Sequence, residues 1–102
     1  MSTKAVLLRA RELLADPAHW IQGEYAHDKY GNACTTVSPD AIAWCFEGAL
    51  IRAINDVSPN FTINTTHLGF ATKGGLVVWN DAPGRAHAEV LDRLDTAIQN
   101  TK

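Results

Sequence analysis

The chain has only two cysteines, Cys34 and Cys45, and they stand alone rather than in metal-binding or redox pairs. With no apparent secretory segment they do not make a disulfide framework, so free cytosolic thiols are expected. Long apolar runs are also absent. The run from Ala41 to Phe46 falls far short of the roughly 20 residues a membrane helix needs. The N-terminal apolar residues are broken by Arg9, Arg11 and Glu12, which does not fit a signal peptide and leads us to expect a cytoplasmic protein. Charge of one sign is lacking too. Nine lysines and arginines are scattered among eleven acids for a net charge of -2, so no basic stripe follows a phosphate backbone, and nucleic acid is a disfavoured partner. There are no internal repeats, low-complexity tracts or linkers.

An apolar fraction of 46% over 102 residues is that of an ordinary globular chain, long enough for one core and too short for two. A single domain over 1–102 is expected. Val6, Leu7, Ala10, Leu13 and Leu14 make the stripe of an amphipathic helix that Asp16-Pro17 should stop. Trp20 to Val37 reads as a loop or poor two-stranded hairpin, with a turn over Asp28 to Asn32. Ser38-Pro39-Asp40 looks like a helix opening, and the apolar residues that follow predict a central buried helix from Pro39 to about Asn55. Gly48 inside it costs roughly 1 kcal/mol relative to alanine, which suggests that another element passes close by.

Ser58 to Lys73 mixes signals, and a short helix ending before Gly69 is the expectation, although its threonines and isoleucine suit a strand as well. Leu76-Val77-Val78-Trp79 after Gly74-Gly75 is a β-like run. Pro83-Gly84 fits the central pair of a type II turn. Val90, Leu91, Leu94, Ala97 and Ile98 line one face of a last helix from about Ala86 to Gln99, with Glu89 and Arg93 expected to pair outside it. The fold expected is mainly α, a compact three- to four-helix domain with a short β element or hairpin. The alternative is α+β.

Several motifs resemble a known group. Trp20-x-x-Gly23-x-x-Ala26-x-Asp28, Trp44-Cys45-x-x-Gly48-Ala49-Leu50, Leu68-Gly69-Phe70 and above all Trp79-Asn80-Asp81-x-Pro83-Gly84-Arg85-x-x-Ala88-Glu89-Val90 look like a family of small uncharacterised proteins of bacteria and their phages. The resemblance implies no activity. Relatives of this kind often carry threonine in place of Ala86, where Thr-x-x-Glu would be a capping box. Its absence shifts the expected helix cap to Asp81 or Asn80.

Chemically, the turn from Trp79 to His87 is the densest cluster in the chain. Arg85 offers a planar fork for a carboxylate or phosphate, His87 exchanges protons near neutral pH, and Asp81 would orient either of them. The structural alternative is that Asn80 and Asp81 bond the N–H groups of their own turn while Arg85 pairs with an acid and fastens the turn to the body. No zinc spacing joins the four histidines to the cysteines, so no metal and no cofactor are expected. Cys45 on a buried helix side suits an inert core residue better than a nucleophile. Glu24, His27 and Asp28 are explained by a solvated loop. Gly74-Gly75 is too short for a phosphate loop.

The function these residues suggest is a protein-binding or regulatory module rather than an enzyme, with a phage-linked role as one implication of the resemblance. Its candidate binding residues are Trp79, Asn80, Asp81, Arg85 and His87 in the turn, with Tyr25 and Tyr30 as anchors in the preceding loop. One alternative is a small hydrolase or transferase using Asp81, Arg85 and His87, joined by His67. Another is a homo-oligomeric structural protein that buries Leu8 and Ile51 between copies.

Overall fold

In a computed structural model, which describes residues 3–59 and 75–101, the described residues form four α-helices and one minimal sheet. The helices are α1 (Thr3–Leu13), α2 (Phe46–Val57), α3 (Gly75–Asp81) and α4 (His87–Gln99). Strands β1 (Ala26–His27) and β2 (Ala43–Trp44) pair antiparallel, with Ala26 opposite Trp44 and His27 opposite Ala43. The protein is therefore a mainly α domain with a short β element.

Helix α1 follows its apolar stripe. Val6, Leu7, Ala10 and Leu14 are fully buried against α2, whose Phe46, Ala49, Leu50 and Ala53 are equally buried, while Val90 and Leu94 of α4 close the third side. Around this apolar centre ion pairs set the helix positions: Arg9 Nε to Asp56 at 3.0 Å joins α1 to α2, and Arg11 Nε to Asp95 at 2.8 Å joins α1 to α4. After α1, Asp16 accepts the Ala18 N–H at 2.8 Å and opens a one-turn 3₁₀ helix at Pro17–His19. Helix α1 thus ends at Leu13, just ahead of the stop expected at Asp16-Pro17.

Helix α2 starts later than its sequence suggested. Pro39 and Asp40 form a turn in which Ser38 Oγ accepts the Asp40 N–H, and the chain then extends so that Ala43 and Trp44 can pair with β1. The backbone N–H of Ile21 also reaches the Trp44 carbonyl, at 3.1 Å, on the other side. With the backbone of Ala43–Trp44 committed to these bonds, Cys45 becomes the first cap: its Sγ accepts the Gly48 N–H at 3.3 Å. A local Ser-Pro-Asp signal is a weak preference, and the ladder outweighed it.

The close approach expected at Gly48 is present. The Tyr25 backbone crosses α2 there, and a Cβ on Gly48 would overlap the Tyr25 carbonyl oxygen. That same carbonyl accepts the Cys45 N–H at 3.1 Å, so the crossing is fixed by a bond as well as by sterics.

Residues 76–79 are helical, not β-like. A helix puts Leu76 and Asn80 one turn apart on a buried face and presses Trp79 edge-on to Phe46, with ring centroids 5.8 Å apart at 74°. A strand would have placed Leu76 and Val78 on one side, yet Val78 is 72% exposed. The Trp20–Val37 expectation is met in part. An isolated bridge, His27 to Ala33, closes the Asp28–Asn32 turn, but the partner of β1 is β2, beyond Val37. Most of Ser58 to Lys73, where a short helix ending before Gly69 is expected, lies outside the described residues.

Candidate functional site

The motif from Trp79 to Val90 spans the end of α3, a turn and the start of α4. Arg85 N–H donates to the Ala82 carbonyl at 3.0 Å, and Gly84 has φ +80, the backbone that a type II turn requires of its third residue. Asn80 is fully buried and uses its whole amide. Its Oδ1 accepts from the Trp20 indole N–H at 2.6 Å and from the Phe46 backbone N–H at 3.0 Å. Its Nδ2 donates to the Ile21 carbonyl at 3.0 Å and to Asp81 Oδ1 at 2.9 Å. One side chain therefore ties α3 to the Trp20 segment and to the first turn of α2.

The neighbours extend this knot. Asp81 Oδ1 accepts the Gly23 N–H at 3.0 Å, and Gln22 Nε2 donates to the Asn80 carbonyl at 2.8 Å. Arg85 donates from Nε to the Trp79 carbonyl at 2.9 Å and from Nη1 to Glu89 at 2.7 Å, its guanidinium lying 4.0 Å from the Trp79 ring centre. His87 Nε2 lies 2.6 Å from the Leu14 carbonyl, which can only accept, so this nitrogen carries the proton.

Two expectations need correction. Neither Asn80 nor Asp81 caps α4 or accepts an N–H of its own turn: the α4 cap is Ala86, whose N–H is held by Glu89 Oε1 at 2.9 Å, half of a capping box. That bond and the Arg85 charge hold the Glu89 carboxyl below its ordinary pKa. Nor does Glu89 pair with Arg93. Its partner is Arg85, one turn earlier, and the Arg93 guanidinium lies over the rings of Trp79 and Phe46.

Hydrolase or transferase chemistry on Asp81, Arg85 and His87 needs them together. Each is held by a different segment, and no hydrogen bond or ion pair joins any two of them; His67 lies outside the described residues. Among the described residues no group of three or more histidines, cysteines and carboxylates is placed to hold a metal. Cys45 is buried, and burial pushes its thiol pKa up despite the helix-start N–H groups that pull it down. Cys34 is a free thiol of intermediate exposure.

The loop holding the two tyrosines differs. Tyr30 is 77% exposed and Tyr25 is 48% exposed. The charge of Glu47, in the first turn of α2, raises the Tyr25 phenol pKa. Tyr30 sits on a stiff turn: Asp28 Oδ1 accepts the Tyr30 N–H at 2.8 Å and the Asn32 N–H at 3.0 Å, while Gly31 takes φ +81. Glu24 meets His27 at 2.9 Å beside it. Across from Tyr30, Pro39, Asp40 and Ile42 form the other wall of a cleft of about 340 Å³.

This second wall is braced from behind. Arg52 Nη1 donates to the carbonyls of Thr36 at 3.1 Å and Ser38 at 2.9 Å, and the Trp44 indole donates to Thr36 at 3.0 Å. The sequence gives no warning about Pro39, Asp40 and Ile42, because its local pattern places them in α2. Their one signal was the Ser-Pro-Asp triplet, which suits a turn as well as a helix start.

No curated protein and no solved structure matches the chain. A family model does match, over residues 1–100, and its description is a family of unknown function. The chain belongs to that family, DUF6197.

Proposed function

We propose that the protein is a protein-binding module whose contact surface is the cleft between Tyr30 and Ile42. The observation that carries this is an exposed aromatic side chain on an immobilised backbone: Tyr30 is 77% exposed, yet both walls of its cleft are pinned by hydrogen bonds. Tyrosine on a rigid loop gives a large contact area at little ordering cost, which is what an interface anchor requires. Ile42, 42% exposed, adds an apolar wall, and Asp28 and Asp40 outnumber Lys29 around the rim. A fitting partner presents an apolar side chain beside a lysine or arginine.

The motif residues support this reading by subtraction. Trp79, Asn80, Asp81, Arg85 and His87 build the scaffold that carries the loop, since Asn80 and Asp81 hold Trp20, Ile21 and Gly23 just before it. Trp20, bonded and packed on the core, leaves the surface to Tyr25 and Tyr30. Separate partners for Asp81, Arg85 and His87 weigh against a hydrolase or transferase built on them. The cellular setting that accompanies the proposal is the bacterial cytoplasm, with a phage-linked role following from the motif resemblance.

A photo-crosslinking residue at position 30, compared with one at Leu8 on α1, tests the proposal in host lysate. The expected result is a discrete adduct from position 30, absent from position 8 and lost when Ile42→Asp is added to a cooperatively folding chain. An adduct that survives Ile42→Asp, or identical patterns from both positions, overturns it. Adducts of the chain with itself from position 8 alone would favour the homo-oligomer, in which Leu8 and Ile51 meet.

A further inference from the structure

Two guanidinium groups share one indole. The Arg85 and Arg93 Cζ atoms lie 4.0 and 4.8 Å from the Trp79 ring centre. Stacking on the ring attracts each cation, but the cations repel one another, and burial with the Arg85 charge lowers the Arg93 pKa. Glu89 compensates only in part. One of its oxygens serves Arg85 Nη1, and the other is spent on the Ala86 N–H. Arg85 Nη2 makes no described hydrogen bond, although the side chain is 20% exposed.

An open depression of about 510 Å³ borders this pair. Glu89, Arg93, Thr96 and Asn100 fall four, three and four residues apart and so run down one face of α4 into it. Trp79 and Ala97 supply apolar surface, while the Thr96 hydroxyl and Asn100 amide supply neutral donors.

We propose that this depression is a binding site for a small ligand bearing a carboxylate or phosphate, held by Arg85 and Arg93 over the face of Trp79. An anion there screens the two like charges and accepts from Arg85 Nη2, and guanidinium forks match both groups in geometry. The flat indole and Ala97 suit an apolar body attached to the anion. Asp92, on the same lining, opposes it and sets an upper limit on affinity. The site is independent of the Tyr30 cleft.

The test is an NMR titration that follows the arginine Nε–H and tryptophan indole N–H signals. Inorganic phosphate and acetate are added separately, each against sodium chloride at matched ionic strength. The expected result is a saturating shift at Arg85, Arg93 and Trp79 with one anion or both, which also identifies the preferred group. Arg93→Gln should weaken binding at least tenfold, and Asp92→Asn should tighten it severalfold. Asp92 makes no described hydrogen bond or ion pair, so this variant decides the matter even if Arg93→Gln unfolds. Shifts that stay linear and equal those of chloride mean an adventitious ion only and overturn the proposal. So does a saturating affinity that Asp92→Asn leaves unchanged.

Discussion

The Asn80 knot and the Tyr30 cleft are both polar, aromatic and rich in turns, yet they differ in where their polar atoms point. Asn80 spends both acceptor positions and both amide donors inside the protein, on Trp20, Phe46, Ile21 and Asp81. In the cleft the side chains of Asp28, Trp44 and Arg52 bond to the backbone of the walls, and the side chains of Tyr30 and Ile42 remain outside. A dense run of chemically versatile residues is therefore not by itself a site. Whether its groups are already satisfied decides that, because a buried polar group must find a partner and will use the nearest one.

The sharpest way to break the contrast is Asn80→Leu. It leaves the Trp20 indole N–H, the Phe46 N–H and the Ile21 carbonyl without partners, at about 1–3 kcal/mol for each group that stays buried, so a loss of roughly 3 kcal/mol or more is expected in urea unfolding. A loss below 1 kcal/mol would remove the knot from the account. Asn80→Asp sharpens the point. The introduced carboxylate would face the Ile21 carbonyl and Asp81, which raises its folded-state pKa above the unfolded value. Its penalty should be complete above that folded pKa and shrink as pH falls toward the unfolded value, the reverse of an ordinary ion-paired acid.

Gly48→Ala comes next. Helix propensity favours alanine by about 1 kcal/mol, but the methyl must displace the Tyr25 carbonyl and its bond to Cys45, and overpacking of this kind costs roughly 1–3 kcal/mol. A net loss is expected in thermal unfolding, and a gain would mean that the crossing chain yields easily. Asp81→Ala removes the acceptor of the Gly23 N–H at the partly exposed edge of the knot, for about 1 kcal/mol by the same assay.

At the other end of the scale, Tyr30→Ala should change stability by less than about 0.5 kcal/mol, as exposed positions do, while abolishing partner capture. A large loss of stability would turn the cleft into a second structural knot. Glu89 gives a pH test of the α4 start. Its folded pKa is depressed by the Ala86 N–H and by Arg85, so its stabilisation is present above the unfolded glutamate pKa and is lost as pH falls through the folded one. Glu89→Gln should flatten that part of the acid unfolding curve.

Much of the helical frame was legible in order along the chain. Val6 to Leu14 and Val90 to Ile98 carry apolar stripes whose spacing admits only a helix packed on one side, and Pro83-Gly84 admits only a turn with positive φ. Leu76 to Trp79 was misread because four apolar residues in a row carry no period. The α2 start was misread because the competing β partner, Ala26–His27, lies seventeen residues away along the chain. For the candidate site the sequence supplied Tyr25 and Tyr30 but not Pro39, Asp40 or Ile42, whose roles depend on what faces them across the fold.

The sequence by itself determined the mainly helical class, the positions of α1 and α4, the turn at Pro83-Gly84 and the close crossing at Gly48. Each of these follows from local spacing or from the backbone freedom of one residue. The tertiary structure alone decided that α2 begins at Phe46, that Leu76 to Trp79 coil, that Asn80 looks inward and that Arg93 joins Arg85 over one indole. Those outcomes rest on hydrogen bonds and ring contacts between segments far apart along the chain, and local spacing holds no information about which distant group will satisfy a given donor.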